Sequence, residues 1–120
     1  MEIQVILAFL RNLKVARFEE NAKYGFLGNL FYQDYTFGVY LFEDSVGQYI
    51  CLEYTVNNVN GIEEVARSID ERVLAGKYII NGSDIVLRTI FPVLFEETLF
   101  ERQVNNSMSV LQRMIHICKH

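Results

Sequence analysis

The sequence comprises 120 residues, of which 51% are hydrophobic and 22% charged, with one proline and seven glycines. These proportions predict one folded domain over residues 1–120 and exclude a disordered or low-complexity chain. Eleven basic residues against fifteen acidic ones leave a net charge of −4, which provides no long-range attraction to nucleic acid or to an anionic membrane.

The first predicted element is a helix over residues 3–15. Its apolar positions recur at helical spacing and are Ile3, Ile6, Leu7, Leu10 and Leu13. The apolar run that ends at Leu10 is too short to cross a bilayer and lacks the flanks of a signal peptide. The two isolated cysteines, Cys51 and Cys118, are expected to be reduced and buried. We therefore expect a cytoplasmic protein.

Three strands are predicted next, over residues 25–33, 37–43 and 48–56, where β-branched and aromatic residues lie between short turns. Such short connections are typical of an antiparallel meander. Alternation in the second strand separates Phe37, Val39 and Leu41 from Tyr40 and Phe42. In the third strand it separates Ile50, Leu52, Tyr54 and Val56 from Tyr49, Cys51, Glu53 and Thr55. Neither face of these strands resembles a fully solvated surface.

A second helix is predicted after Asn60, which is followed three residues later by Glu63 in a capping-box pattern. Its apolar stripe comprises Ile62, Val65, Ala66, Ile69 and Val73. Gly76 stands where a left-handed residue would end the segment. The next two strands, 77–80 and 84–91, form a predicted hairpin with Asn81-Gly82 at the turn.

The last predicted helix begins at Thr98, with Glu101 as the second member of a capping box, and runs to about Lys119. The element order indicates an α+β fold with a five-stranded antiparallel sheet. We expect the first and last helices on one face of the sheet and the middle helix toward one edge. The predicted continuous core contains Ile6, Leu10, Leu41, Leu52, Ile69, Leu87, Val104 and Leu111.

No pattern in the sequence indicates catalysis, a cofactor or a metal. His116, Cys118 and His120 contain good zinc ligands, but helical geometry places Cys118 nearly opposite the two histidines. Paired glutamates occur only where a helix start or a loop would keep them ionised in water. Phosphate-binding loops and nucleophile elbows are absent from the sequence. The prediction is therefore a protein without enzymatic activity.

Aromatic residues are concentrated between Tyr24 and Tyr54. One interpretation is a core, because aromatic side chains favour strands and bury large areas. The other is a binding surface, since tyrosines with a partly solvated hydroxyl group are common at protein interfaces. Under the second interpretation, the residues that contact a protein client are Tyr32, Tyr40 and Tyr54.

The second half of the chain contains Gly76-Lys77-Tyr78, then Asn81-Gly82, then Ile85-Val86-Leu87-Arg88, followed by an acidic helix start. This pattern resembles the YbjN-like bacterial family, described as sensory or regulatory factors. That family is similar in fold to the class I type III secretion chaperones, which are small acidic proteins with the same element order. The resemblance implies no catalytic residues. The chaperones act as homodimers that bind an extended client, which implies a dimer and a protein partner here.

We therefore predict a non-catalytic protein-binding module, chaperone-like or regulatory, that binds an extended client segment. The alternative is a small enzyme or ligand-binding domain with an aromatic-lined pocket. Apolar residues on both faces of the strands also predict a homodimer. The residues predicted at its interface are Leu74, Tyr78 and Ile80, because Leu74 lies off its helix's core stripe and the other two begin a potential sheet edge.

Overall fold

A computed structural model of the chain describes residues 2–13 and 25–119. The elements are α1 (Glu2–Asn12), β1 (Gly25–Tyr32), β2 (Tyr35–Glu43), β3 (Gln48–Val56), α2 (Ile62–Arg72), β4 (Lys77–Asn81), β5 (Asp84–Pro92) and α3 (Glu97–Lys119). This order confirms the predicted α+β fold. The end of the predicted first helix, residues 14 and 15, lies outside the described residues.

The five strands form one antiparallel sheet in the order β1-β2-β3-β5-β4. The meander β1-β2-β3 pairs through Leu30 with Phe37 and through Val39 with Leu52. Strand β5 then pairs with β3, and β4 lies beyond β5 as the last strand. The sheet therefore has two edges, β1 and β4. A bulge interrupts the β1-β2 register between Phe26 and Gly28.

The two faces of the sheet have different environments. The covered face packs against the helices, and its side chains include Leu30, Phe37, Val39, Leu41, Ile50, Leu52, Ile85 and Leu87, all buried. The opposite face, called the open face below, contains the exposed side chains of Phe31, Phe42, Ile79 and Ile90. Cross-strand pairing places these four on one side because directly paired residues share a face.

The core lies between the covered face and the helices. Helix α3 packs across β3 and β5, and both α1 and α2 contact α3. The ring of Phe100 in α3 contacts Phe9 of α1 at 5.3 Å and Phe91 of β5 at 6.0 Å between centroids. All eight predicted core residues are buried in one cluster, which confirms that prediction: Ile6, Leu10, Leu41, Leu52, Ile69, Leu87, Val104 and Leu111.

Both predicted capping boxes are wrong. The N-cap residue of helix α2 is Gly61, which has φ 61° and no side chain to cap the helix, so Asn60 does not cap it. Helix α3 begins at Glu97, and the Glu96 carboxylate accepts hydrogen bonds from the backbone N–H of Thr98 and Leu99. The side chain of Glu96 therefore caps the helix, which is the role that the sequence pattern assigned to Thr98.

The turns also differ from the prediction, by one residue in the second hairpin and by two at the start of β2. In the β4-β5 hairpin Asn81 pairs with Asp84, so the two loop residues are Gly82 and Ser83. Gly82 has φ 64°, as the first loop residue of a type II′ turn requires. In the first hairpin, Gln33 takes φ 54° and lets β2 begin at Tyr35, two residues earlier than predicted.

Candidate functional site

The open face carries a continuous apolar surface across four strands. We call it the aromatic patch and define it as Phe26, Tyr40, Phe42, Tyr49, Cys51 and Ile90. Pairing places Tyr40 between Phe26 and Cys51, and Cys51 next to Ile90. Phe42 pairs with Tyr49 in the adjacent row. Phe42 is 43% exposed and Ile90 40% exposed, whereas Cys51 is fully buried and the other three residues are half-buried.

The rings of the patch contact one another and lie along the sheet. Tyr40 stacks on Phe42 with 6.0 Å between centroids and 3° between planes. Phe26 meets the edge of the Tyr40 ring at 5.6 Å. A side chain at position 38 would lie 2.9 Å from the Tyr40 ring, so Gly38 provides the space in which that ring lies flat. At one end of the patch, Tyr49 also lines a pocket of about 620 Å³ together with Pro92 and Phe95.

A row of polar side chains borders the aromatic patch. Arg88 Nε donates a 2.7 Å hydrogen bond to Glu53 Oε2, and Lys77 pairs with Arg88 from the neighbouring strand. Burial, followed by the charge of Glu53, raises the pKa of Tyr40. Burial also raises the pKa of the Cys51 thiol to about 11. Both groups are therefore neutral at physiological pH and keep the patch apolar.

The free edge of β4 is the second candidate surface. Asn81 and Asp84 flank a two-residue loop and form a hydrogen-bonded pair, so hydrogen-bonded and non-hydrogen-bonded pairs alternate from there along β4. Tyr78 and Ile80 occupy the non-hydrogen-bonded positions. Their backbone N–H and C=O groups consequently point away from β5, toward the free edge.

The side chains around this edge are unusually exposed for apolar residues. Ile80 is 44% exposed on one face of β4, and Ile79 is exposed on the other. Leu74, just before the strand, is 95% exposed. The opposite edge, β1, contains a bulge, a feature that discourages further strand pairing. Strand β4 is thus the more accessible edge.

The structure does not bring together the three tyrosines predicted to contact a client. Tyr40 lies on the open face, within the aromatic patch. Tyr54 lies on the covered face, where its ring meets Phe37 at 5.9 Å and Tyr35 at 5.6 Å. Tyr32 pairs with Tyr35 and packs against the core on the same covered face. Three tyrosines divided between two faces of one sheet cannot form one contact surface.

The residues predicted at a dimer interface do lie close together along the chain, around the β4 edge. Leu74 and Ile80 are exposed. Tyr78 is half-buried, and its hydroxyl donates a 2.8 Å hydrogen bond to Asp70 of α2. That hydrogen bond is the main reason that the pKa of Tyr78 is raised. Tyr78 thereby ties α2 to the edge strand.

The structure also locates the residues considered for metal or ligand binding. His116 is exposed and Cys118 buried on α3, while His120 lies outside the described residues. No group of three or more potential metal ligands occurs in residues 2–13 and 25–119. A cleft of about 710 Å³ lies between the start of α2 and the end of α3. Among the described residues that line this cleft, none is Phe or Tyr, whereas a second pocket of about 620 Å³ is lined by Tyr49 and Phe95.

Sequence reasoning missed the aromatic patch as a unit. Alternation placed Tyr40 and Phe42 on one face of β2, and Tyr49 and Cys51 on one face of β3. It could not show that these two faces are on the same side of the sheet. The register between strands supplies that information. A signal was present in the sequence, because apolar residues occupy both alternating positions of β2 and β3.

Comparison with known proteins supports the fold. No protein-family model and no curated protein matches the sequence. The crystal structure of YbjN from E. coli, described as a candidate transcription regulator, has a similar fold with a TM-score of 0.65 and 15% sequence identity. The match covers 94% of this chain and 87% of YbjN. The fold implied by the sequence resemblance is thus confirmed.

None of the helices in the described part of the chain is long and apolar enough to span a membrane.

Proposed function

We propose that this chain, which shares the fold of YbjN, is a non-catalytic protein-binding module that acts as a chaperone-like or regulatory adaptor. Its partner supplies an extended segment that pairs with the free edge of β4. The observation that carries this proposal is the set of outward-pointing backbone groups at Tyr78 and Ile80. An added strand would satisfy those groups, and its hydrogen bonds would provide affinity without a particular sequence.

The side chains beside the edge favour a partner segment that is apolar on both of its faces. Ile79 and Ile80 are exposed on opposite faces of β4. An apolar side chain on either face of an added strand would therefore contact one of them. Leu74 extends this apolar surface beyond the first residue of the strand. Lys77, exposed at the same end, favours an acidic residue in the partner.

This assignment uses Leu74, Tyr78 and Ile80 differently from the prediction, which placed them at a dimer interface. An edge with free hydrogen-bonding groups suits an extended segment.

With a net charge of −4, we expect regulation by this chain to operate through protein contacts rather than through nucleic acid. Two buried free thiols are compatible with a reducing cytoplasm, where we place the protein.

Photo-crosslinking tests the proposal. Benzoylphenylalanine at position 74 should crosslink other proteins in native cells, because Leu74 is exposed beside the edge. Ile80→Pro removes the outward N–H and should abolish those crosslinks, since proline is tolerated at a sheet edge but cannot donate to an added strand. The matched control Ile80→Ala removes the side chain, keeps the N–H, and should retain a substantial share of them.

Two outcomes contradict the proposal. One is that position 74 crosslinks only a second copy of this chain or nothing at all. The other is that Ile80→Ala and Ile80→Pro reduce crosslinking equally, which would show that the backbone of the edge contributes no binding. Circular dichroism of each variant establishes that the sheet is intact before either result is interpreted.

A further inference from the structure

We infer that the cleft between α2 and α3 binds a small phosphorylated molecule that carries hydroxyl groups, of the class of sugar phosphates. The cleft has a volume of about 710 Å³, and small-molecule sites typically measure about 300–1,000 Å³. Its lining comes from the connection between β3 and α2, from α2 itself and from the last turn of α3. None of the described residues in that lining belongs to β4, so the inference does not depend on the proposed function.

Arg72 supplies the positive charge for the phosphate group. It is the last residue of α2, it lines the cleft, and its side chain is exposed. In the part of the chain that the structure describes, its guanidinium group takes part in no ion pair or side-chain hydrogen bond. A guanidinium group presents its N–H donors in a plane, which matches the oxygens of a phosphate in pairs. The side chain of Arg72 is therefore available to bind one.

The other charged groups that line the cleft do not cancel the charge of Arg72. Glu64 lies two turns earlier on α2, about 12 Å away along the helix axis. That separation exceeds the screening length of about 8 Å at physiological ionic strength. Lys119 also lines the cleft, and its ammonium group lies 5.5 Å from the centroid of the Tyr35 ring. Arg72 and Lys119 against Glu64 give the cleft a net positive charge on an acidic chain.

Two more polar side chains line the cleft near Arg72. Ser68 precedes Arg72 by one helical turn, so the two residues lie on the same side of α2. Met114 of α3 packs against Gly76, which places the last turn of α3 beside the end of α2. His116 belongs to that turn and lines the cleft, as Ser68 does. A phosphate group bound by Arg72 would thus have a hydroxyl and an imidazole as neighbours.

The opposite end of the cleft suits the hydroxyl groups of the ligand. Asn57, Asn60 and Glu64 line it there, around the start of α2. An amide side chain both donates and accepts hydrogen bonds, and a carboxylate accepts them, so these groups can pair with hydroxyls in either sense. None of the described lining residues is Phe or Tyr, and the sequence contains no Trp. A nucleobase would have no ring to stack on, which favours a sugar phosphate over a nucleotide.

Calorimetric titration of the full chain tests the inference, with glucose 6-phosphate, inorganic phosphate and glucose as probes. Glucose 6-phosphate should bind more tightly than either of the other two. Arg72→Gln should weaken its binding about 10-fold or more, because the substitution removes the charge and the paired donors. Arg67→Gln is the matched control, since Arg67 is exposed on the same helix and does not line the cleft. That control should bind glucose 6-phosphate as the unmodified protein does.

Glu64→Ala separates the two ends of the cleft. It removes an acceptor for hydroxyl groups, so it should weaken the binding of glucose 6-phosphate and leave that of inorganic phosphate unchanged. Amide chemical shifts of the unmodified protein locate the probe without any substitution, and they should change at Gly61, Ser68 and Cys118.

Three results overturn the inference. The first is that glucose 6-phosphate does not bind at millimolar concentration. The second is that it binds no more tightly than inorganic phosphate. The third is that Arg72→Gln and Arg67→Gln weaken its binding equally, which would show attraction to the helix surface rather than to the cleft. None of these results bears on whether an extended partner binds the edge of β4.

Discussion

Met114 occupies the space that a side chain at Gly76 would need. A Cβ at position 76 would lie 2.4 Å from Sδ and 2.6 Å from Cε of Met114, which is fully buried in α3. Gly76 does not have a positive φ, so its role is to allow α3 to approach the segment between α2 and β4. The sequence suggested a left-handed helix stop at this position. The structure instead places the buried end of the Met114 side chain against this glycine.

Gly76→Ala is therefore expected to destabilise the protein by about 1–3 kcal/mol, the usual cost of overfilling a packed core. The measurement is the free energy of unfolding from urea titration. Gly47→Ala is the matched control, because nothing lies within 4 Å of a Cβ at position 47 and its φ is not positive. The control should change stability by less than about 0.5 kcal/mol. Equal effects at the two positions would contradict this account of Gly76.

Glu96 predicts a pH dependence of stability. Hydrogen bonds from the backbone N–H of Leu99 and then of Thr98 lower the pKa of its carboxyl group. A carboxyl with a lower pKa in the folded state stabilises that state above its unfolded pKa and loses this contribution as the pH falls through its folded pKa. Glu96→Gln should therefore reduce the free energy of unfolding at pH 7, with the deficit disappearing in the acid range below the ordinary glutamate pKa.

Urea titrations at pH 7 and in that acid range measure the effect. Glu101→Gln provides the comparison, because Glu101 would be the important glutamate if Thr98 capped the helix. A smaller loss at Glu101 than at Glu96 is expected at pH 7. A deficit in Glu96→Gln that stays constant as the pH falls would show that its charge does not stabilise the start of α3.

The contrast between the core and the caps shows what the sequence determines locally. Leu10 and Leu111 could be assigned to the core from helical spacing alone, because a helix buries one stripe whatever packs against it. Glu96 and Gly76 could not be assigned, since the first depends on how a loop folds back and the second on a side chain 38 positions away. Tyr54 was ambiguous for the same reason: alternation defines two faces, but only the helices decide which one is covered.

The two cysteines should react slowly in the folded protein. Burial raises the pKa of both Cys51 and Cys118 to about 11. At pH 8 only about one thiol in a thousand is then ionised, and the thiolate is the reactive form. We expect two free thiols in denaturant, and a reaction at least about 100-fold slower without it. Rapid modification of one thiol in the native protein would contradict the burial of that residue.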